Sequence, residues 1–282
     1  MGIIQDIFHY QFLRNALFAA ILVSIAAGIA GTYITSRRLV FLSGGITHAS
    51  FGGIGIAYFF GLNPILGATV FSILSAFGIE ALSHRKGIRE DSAIGILWAL
   101  GMAIGIIFIF LTPGYAPNLM SFLFGSILTV TKADLLYLLA IDLVLIGIFL
   151  LFFRTILSVS FDSAFAVSQK VPVKLINLIM LSLMSIAIVL CIRVVGIVLL
   201  ISLFTIPAST ANLFSNRFSS IIFWSMLISL AGTLLGLLIS YKVNIPSGAA
   251  IIVVLVFIFG LVKLTTVTIT MSKLKKSINK NR

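Results

Sequence analysis

The sequence predicts an all-α integral membrane protein: a polytopic bundle of eight or nine transmembrane helices in one domain, residues 1–282. Three observations carry that prediction. Hydrophobic residues make up 60% of the chain and charged residues 9%, whereas a water-facing surface needs about 25–35% ionic side chains. The mean hydropathy is +1.24. The few charges fall between apolar runs of the length that crosses a hydrocarbon core, about 20 residues. Closed barrels are the other solution in lipid, and the alternating polarity they require is absent. A soluble enzyme, a disordered tail and a disulfide-stapled domain are excluded together; Cys191 is the single cysteine.

Charges and turn residues delimit the elements in order. The first helix, 15–35, lies between Arg14 and Arg37. The charge-free stretch 39–79 holds two crossings, 41–60 and 64–83, divided by the turn Gly61-Leu62-Asn63-Pro64. The fourth, 93–112, is expected to be capped by Asp91 and followed by a loop marked by Pro113, Gly114 and Pro117. Helices over 134–153, 175–192, 194–213, 219–240 and 247–264 complete the set. Pro207 removes a backbone hydrogen bond inside 194–213, so that segment is either a crossing or a broken, re-entrant helix. The count is therefore nine or eight.

The net charge of +12 would point to nucleic acid in a soluble protein. Here the basic residues flank spans, which fits loops at an anionic cytoplasmic leaflet, with membrane lipid and no nucleic acid as partner. With the N-terminus outside, the inner loops and C-terminal tail take Arg37, Arg38, Arg85, Lys86, Arg89, Arg154, Lys170, Lys174, Arg217, Lys273, Lys275, Lys276, Lys280 and Arg282. The outer side takes Arg14, Lys132, Arg193 and Lys242, with Lys263 at a boundary. The positive-inside rule thus places the C-terminus and the basic tail, about 265–282, in the cytoplasm.

Polar residues at membrane depth are the informative ones, because a central charge costs about 2.5–3.5 kcal/mol on insertion scales. His48 lies in a run where Gly45, Ala49, Gly53 and Ala57 recur every fourth residue. That spacing puts small side chains on one helix face and lets another backbone approach closely. The imidazole beside this seam can move a proton, bind a borderline divalent metal, or make an interhelical hydrogen bond. Asp142 lies about 12 Å into its helix at 1.5 Å per residue. It is open to three readings: an anionic pathway ligand, a partner for a cation such as Arg193, or a protonated, structurally satisfied carboxyl. Glu80 and His84 form an i,i+4 pair. The polar segment 161–174 is a linker or a docking element. No phosphate-cradling G-x-x-x-x-G-K-[ST] loop, HExxH, serine elbow or cysteine cluster occurs. No soluble catalytic engine is present, and if the chain moves something uphill with ATP, another chain binds the ATP.

Several segments, in order, resemble one family. RRLVFLSGGITHASFGGIGIAYFFGLNP is similar to the second-helix signature of ABC-3 permeases, the membrane subunits of bacterial manganese, zinc and iron importers. EDSAIGILWALGMAIG, SFLFGSIL, FDSAFAVSQKVPV and VVGIVLLISLFTIPASTANLF resemble its fourth-helix entry, outer-loop motif, coupling segment and GxLL…PAATA block. The resemblance implies a homodimer or heterodimer of permeases in the cytoplasmic membrane. A cytoplasmic ATP-binding cassette subunit would drive it, and an extracytoplasmic metal-binding protein would feed it. It implies no permanently bound cofactor; the metal is cargo and ATP is used by the partner subunit. Family members carry an acidic residue four positions before the second-helix His; here that position is Gly44, with Asp142 as a candidate substitute. The coupling segment matches at Asp162 and Ala166, with Lys170 and Lys174 beside them, and Gln169 or Lys170 stands where the family has glycine. The expected function is alternating access for a divalent metal near His48. The alternative is an ion-coupled secondary transporter using His48 and Asp142.

Overall fold

In a computed structural model, residues 9–83, 88–113, 125 and 127–280 are described. Gly114, Pro117, His84, Arg85 and Lys86, most of SFLFGSIL and the last two residues of the tail lie outside them. Among the described residues every regular element is helical: α1 Gln11–Ser36, α2 Val40–Phe59, α3 Pro64–Ser83, α4 Glu90–Leu111, a 3-10 turn Ile127–Thr129, α5 Lys132–Phe161, α6 Ser163–Ser168, α7 Val173–Val195, α8 Ile197–Asn212, α9 Phe218–Val243 and α10 Ser247–Lys280. Helices prevail because lipid offers backbone groups no partner, so each segment must satisfy its own.

Eight of these helices are long and apolar enough to cross a membrane. Of the other two, α6 has six residues, and α8 has 16 and spans about 24 Å at 1.5 Å per residue. It nevertheless runs from one end of the bundle to the other. Its start, Gly196, abuts Gly125 near the N-terminus of α5, while Phe218, just beyond its end, packs on Phe153 and Phe161 near the C-terminus of α5. The break expected at Pro207 is not there: Pro207 is buried inside a continuous α8. The path turns instead at Gly196, whose φ of 81° separates α7 from α8. Glycine takes that left-handed backbone without the Cβ clash other residues meet, so the bend falls where it is cheap.

The core is central. The membrane windows of α1 and α2 are 72% and 78% buried, those of α4 and α10 22% and 17%, so α1 and α2 sit inside and α4 and α10 face outward. Buried hydroxyls join α1 to α9: Ser229 donates to Ser24 at 3.2 Å and Thr32 to Ser225 at 3.3 Å. In hydrocarbon such bonds satisfy groups that water cannot reach.

Three boundaries differ from the sequence expectation. Helix α5 runs to Phe161 through a non-helical residue, Phe152, because Arg154 lies past the apolar span without ending the helix. Helix α10 continues beyond 264 to Lys280. Asp91 does not cap α4; the capping position is Arg89, with no side-chain bond. Asp91 sits within the first turn, 3.7 Å from the Arg89 guanidinium, where its charge still favours the helix dipole.

Candidate functional site

His48 projects from α2, the most buried helix, and its placement follows from the small residues around it. A Cβ at Gly53 would strike the backbone of Gly67 on α3, one at Gly101 the backbone of Ala49, and one at Gly55 the backbone of Gly105 on α4. Gly45, Ala49, Gly53 and Ala57 therefore form a close-packed seam, with Gly45 against Ile94 and Ala57 against Gly67. The additional contacts of Gly52 and Gly55 with α4 were not legible from the four-residue repeat. Their partners, Gly101 and Gly105, carry the same spacing in α4 and were the available signal.

With α2 and α4 this close, the His48 ring lies flat on Trp98, centroids 4.1 Å apart and planes 7° from parallel. Its Nδ1 is buried and has no hydrogen-bond partner, while the residue as a whole is half-buried. One turn earlier, Gly44 leaves a space where a Cβ would meet only Ile201 of α8, at 3.6 Å. The site is thus a junction of α2, α4 and α8 holding one imidazole.

Asp142 is placed elsewhere. It is 1% exposed, neither carboxylate oxygen has a hydrogen-bond partner, and it lies close enough to Cys191 of α7 to act on it electrostatically. Helices α2 and α5 share no substantial interface, so the fold offers no support for joining Asp142 to His48 in one site. No group of three or more His, Cys, Asp or Glu that could hold a metal occurs among the described residues.

Asp142 is not the partner of Arg193 either. Arg193 Nε meets Asp134 Oδ1 at 2.5 Å. The other Asp134 oxygen accepts from the Thr131 hydroxyl at 2.7 Å and the Thr131 amide at 3.0 Å, and Thr131 caps α5 in return. The sequence signal for it is Thr131-Lys132-Ala133-Asp134, a capping-box pattern. These residues wall a cavity of about 280 Å³ that also touches Ser50, Ile54 and Tyr58 of α2. His48 is not part of its lining. It lies half a turn below, toward the middle of α2.

At the opposite end, the 161–174 segment contains α6 between α5 and α7. Asp162 caps it, its Oδ1 accepting from the Phe165 amide at 2.8 Å, and Ala166 is fully buried. Asp162, Lys170 and Lys174 are exposed, as are Phe161, Phe165 and Val167. Lys170 has φ 59°, and the amides of Lys170 and Val171 bond back to Val167 and Ala166. That is a Schellman turn, whose left-handed position favours glycine. Of the two residues standing in place of a glycine, Lys170 therefore takes the glycine-like backbone.

The model of the ABC 3 transport family matches residues 9–266. An uncharacterized membrane protein of Synechocystis is 38% identical over 245 residues, 87% of each chain. The manganese transport system membrane protein MntC of Halalkalibacterium halodurans is 33% identical over 257 residues, 91% of this chain and 88% of that one. Among solved structures, PsaBC from Streptococcus pneumoniae in complex with Fab superposes with a TM-score of 0.84 at 31% identity, covering 92% and 93% of the two chains. A family match over nearly the whole length, a shared helical fold and eight membrane-length helices agree: this multi-pass inner-membrane protein belongs to the ABC-3 transport family.

Proposed function

We propose that the chain is the transmembrane permease subunit of an ATP-binding cassette importer for a divalent transition metal, manganese ahead of zinc or iron. Family membership and the manganese systems named among its relatives support the class of cargo. The observation that carries the reading is His48, an imidazole with an unpartnered buried Nδ1, held against Trp98 by a seam of glycines. A neutral imidazole is a good donor for borderline divalent metals. One such nitrogen per chain binds weakly, as a path must if the ion is to leave again.

A second permease would complete the path. On the outward face of α4, Gly95, Ala99 and Ala103 are exposed beside Trp98, a small-residue stripe on which a second helix can lie close. Metal delivered by an extracytoplasmic binding protein would pass between the two copies near His48. The ATP-binding subunit would dock at α6, where Asp162, Lys170 and Lys174 surround exposed Phe165 and Val167, and its closure would flip access from outside to inside. An ion-coupled relay through His48 and Asp142 gains no support, since α2 and α5 share no substantial interface.

The test is Mn²⁺ uptake by cells carrying His48→Ala. Uptake should fall about tenfold, the loss of roughly 1.4 kcal/mol of binding, with membrane abundance unchanged. Wild-type uptake would remove His48 from the path. Uptake that survives ATP depletion and collapses with an uncoupler would replace the ATP-driven reading with an ion-coupled one.

A further inference from the structure

From the turn that joins α1 to α2, we infer that Arg37 is a positioning residue that ties the His48 helix to the ATPase-coupling segment. Helix α1 ends in a second Schellman turn: the Arg38 amide bonds to Thr35 and the Leu39 amide to Ile34, with Arg38 at φ 60°. That backbone fixes the direction of Arg37 at the helix end, and α2 begins three residues on, at Val40. The Arg37 guanidinium reaches across the bundle and donates from Nη1 to the carbonyl of Val159 at 2.9 Å.

The acceptor has a physical reason to want this partner. The last four carbonyls of a helix have no intrahelical donor. Ser158 gives its carbonyl to the Asp162 amide, while Val159, one position on, receives the charged guanidinium, which also suits the negative end of the helix dipole. Asp162, three residues after Val159, then starts α6. The bond therefore joins the α1–α2 turn to the residue pair from which the coupling helix hangs.

Direct packing of α2 on α5 does not duplicate the link. Helices α2 and α5 share no substantial interface, and the substantial contacts of α6 are with α5 and α7. Beside Arg37 is a cavity of about 470 Å³, lined among others by Arg38, Glu80, Ser160 and Asn177. A displacement of α6 reaches α2 through the body of α7, which packs on α2, through α1, which packs on α5 and runs into the same turn, or through Arg37. The Arg37 bond is the shorter route, and it acts on the turn from which α2 starts.

This inference rests on the ATP-driven reading above. Its test uses the complete transporter, this chain with its ATPase and binding-protein partners, in proteoliposomes, reading Mn²⁺ imported per ATP hydrolysed. Arg37→Met keeps the apolar stem and removes the donor; Mn²⁺ per ATP should fall about tenfold, as for a lost hydrogen bond to a charged group, while ATPase co-purification stays at the wild-type level. Arg37→Lys, which restores a cationic donor, should recover most of the ratio. Should the Met variant fail to reach the membrane, Arg37→Gln, whose amide is too short to span the gap, is read by the same ratio. An unchanged ratio in the donor-less variant, or parallel loss of hydrolysis and import at constant ratio, overturns the role of Arg37. Absence of ATP-dependent import by the wild-type assembly would instead overturn the permease reading itself.

Discussion

Gly53→Ala is the sharpest test of the seam that positions His48. The added Cβ would meet the carbonyl carbon and oxygen of Gly67 and the Cβ of Phe71 inside contact distance. None of these is the free end of a flexible side chain, so α2 and α3 must separate. Overpacking of this kind costs about 1–3 kcal/mol, and the better helix propensity of alanine returns about 0.5–1 kcal/mol. A net loss of about 1–2 kcal/mol remains, which for a chain of this size lowers Tm by roughly 2–8 °C. Gly147→Ala on α5 is the control, because a Cβ there meets nothing within 4 Å; with propensity alone acting, its Tm should rise by about 1–4 °C. Both are measured by tryptophan fluorescence during thermal unfolding in detergent, where Trp98, stacked on His48, reports the seam. If Gly53→Ala melted at or above Gly147→Ala, the close-packed account of α2 would be wrong.

Other predictions follow from individual contacts. Asp142→Asn replaces a buried carboxyl that has no hydrogen-bond partner with an isosteric neutral amide, so stability should hold or rise and Mn²⁺ uptake should stay within about twofold of wild type; a larger loss of uptake would make the carboxylate functional. Combined charge reversal, Asp162→Lys with Lys174→Glu, should reduce ATPase co-purification, and undiminished co-purification would remove this segment as the dock. Arg193→Met leaves the 5%-exposed Asp134 without its cation and should destabilise by about 1–3 kcal/mol. A double-mutant cycle with Asp134→Asn should place most of that in the pair, and additive effects would refute it.

The site was half legible from sequence. The four-residue repeat of Gly45, Ala49, Gly53 and Ala57 exposes a seam because helical spacing maps directly onto a face. It names no partner, since Gly67 and Gly101 are brought there by tertiary packing. His48 was visible as a costly residue in an apolar run, whereas its stack on Trp98 was not. Asp142 was equally visible, yet its reading as a partner of Arg193 failed. Arg193 pairs with Asp134, whose fixed place in the capping box of α5 makes it the better acceptor.

Sequence alone determined that this chain lives in lipid, where its spans begin, and which residues are expensive to bury. Those properties are local, because a membrane helix must satisfy its own backbone within one stretch of chain. The tertiary structure alone decided which distant groups meet: Arg37 and Val159, 122 positions apart, Asp134 and Arg193, and the bend at Gly196 in preference to Pro207. Such pairings depend on how helices pack side by side, and apolar stretches of similar length and composition do not encode their own neighbours.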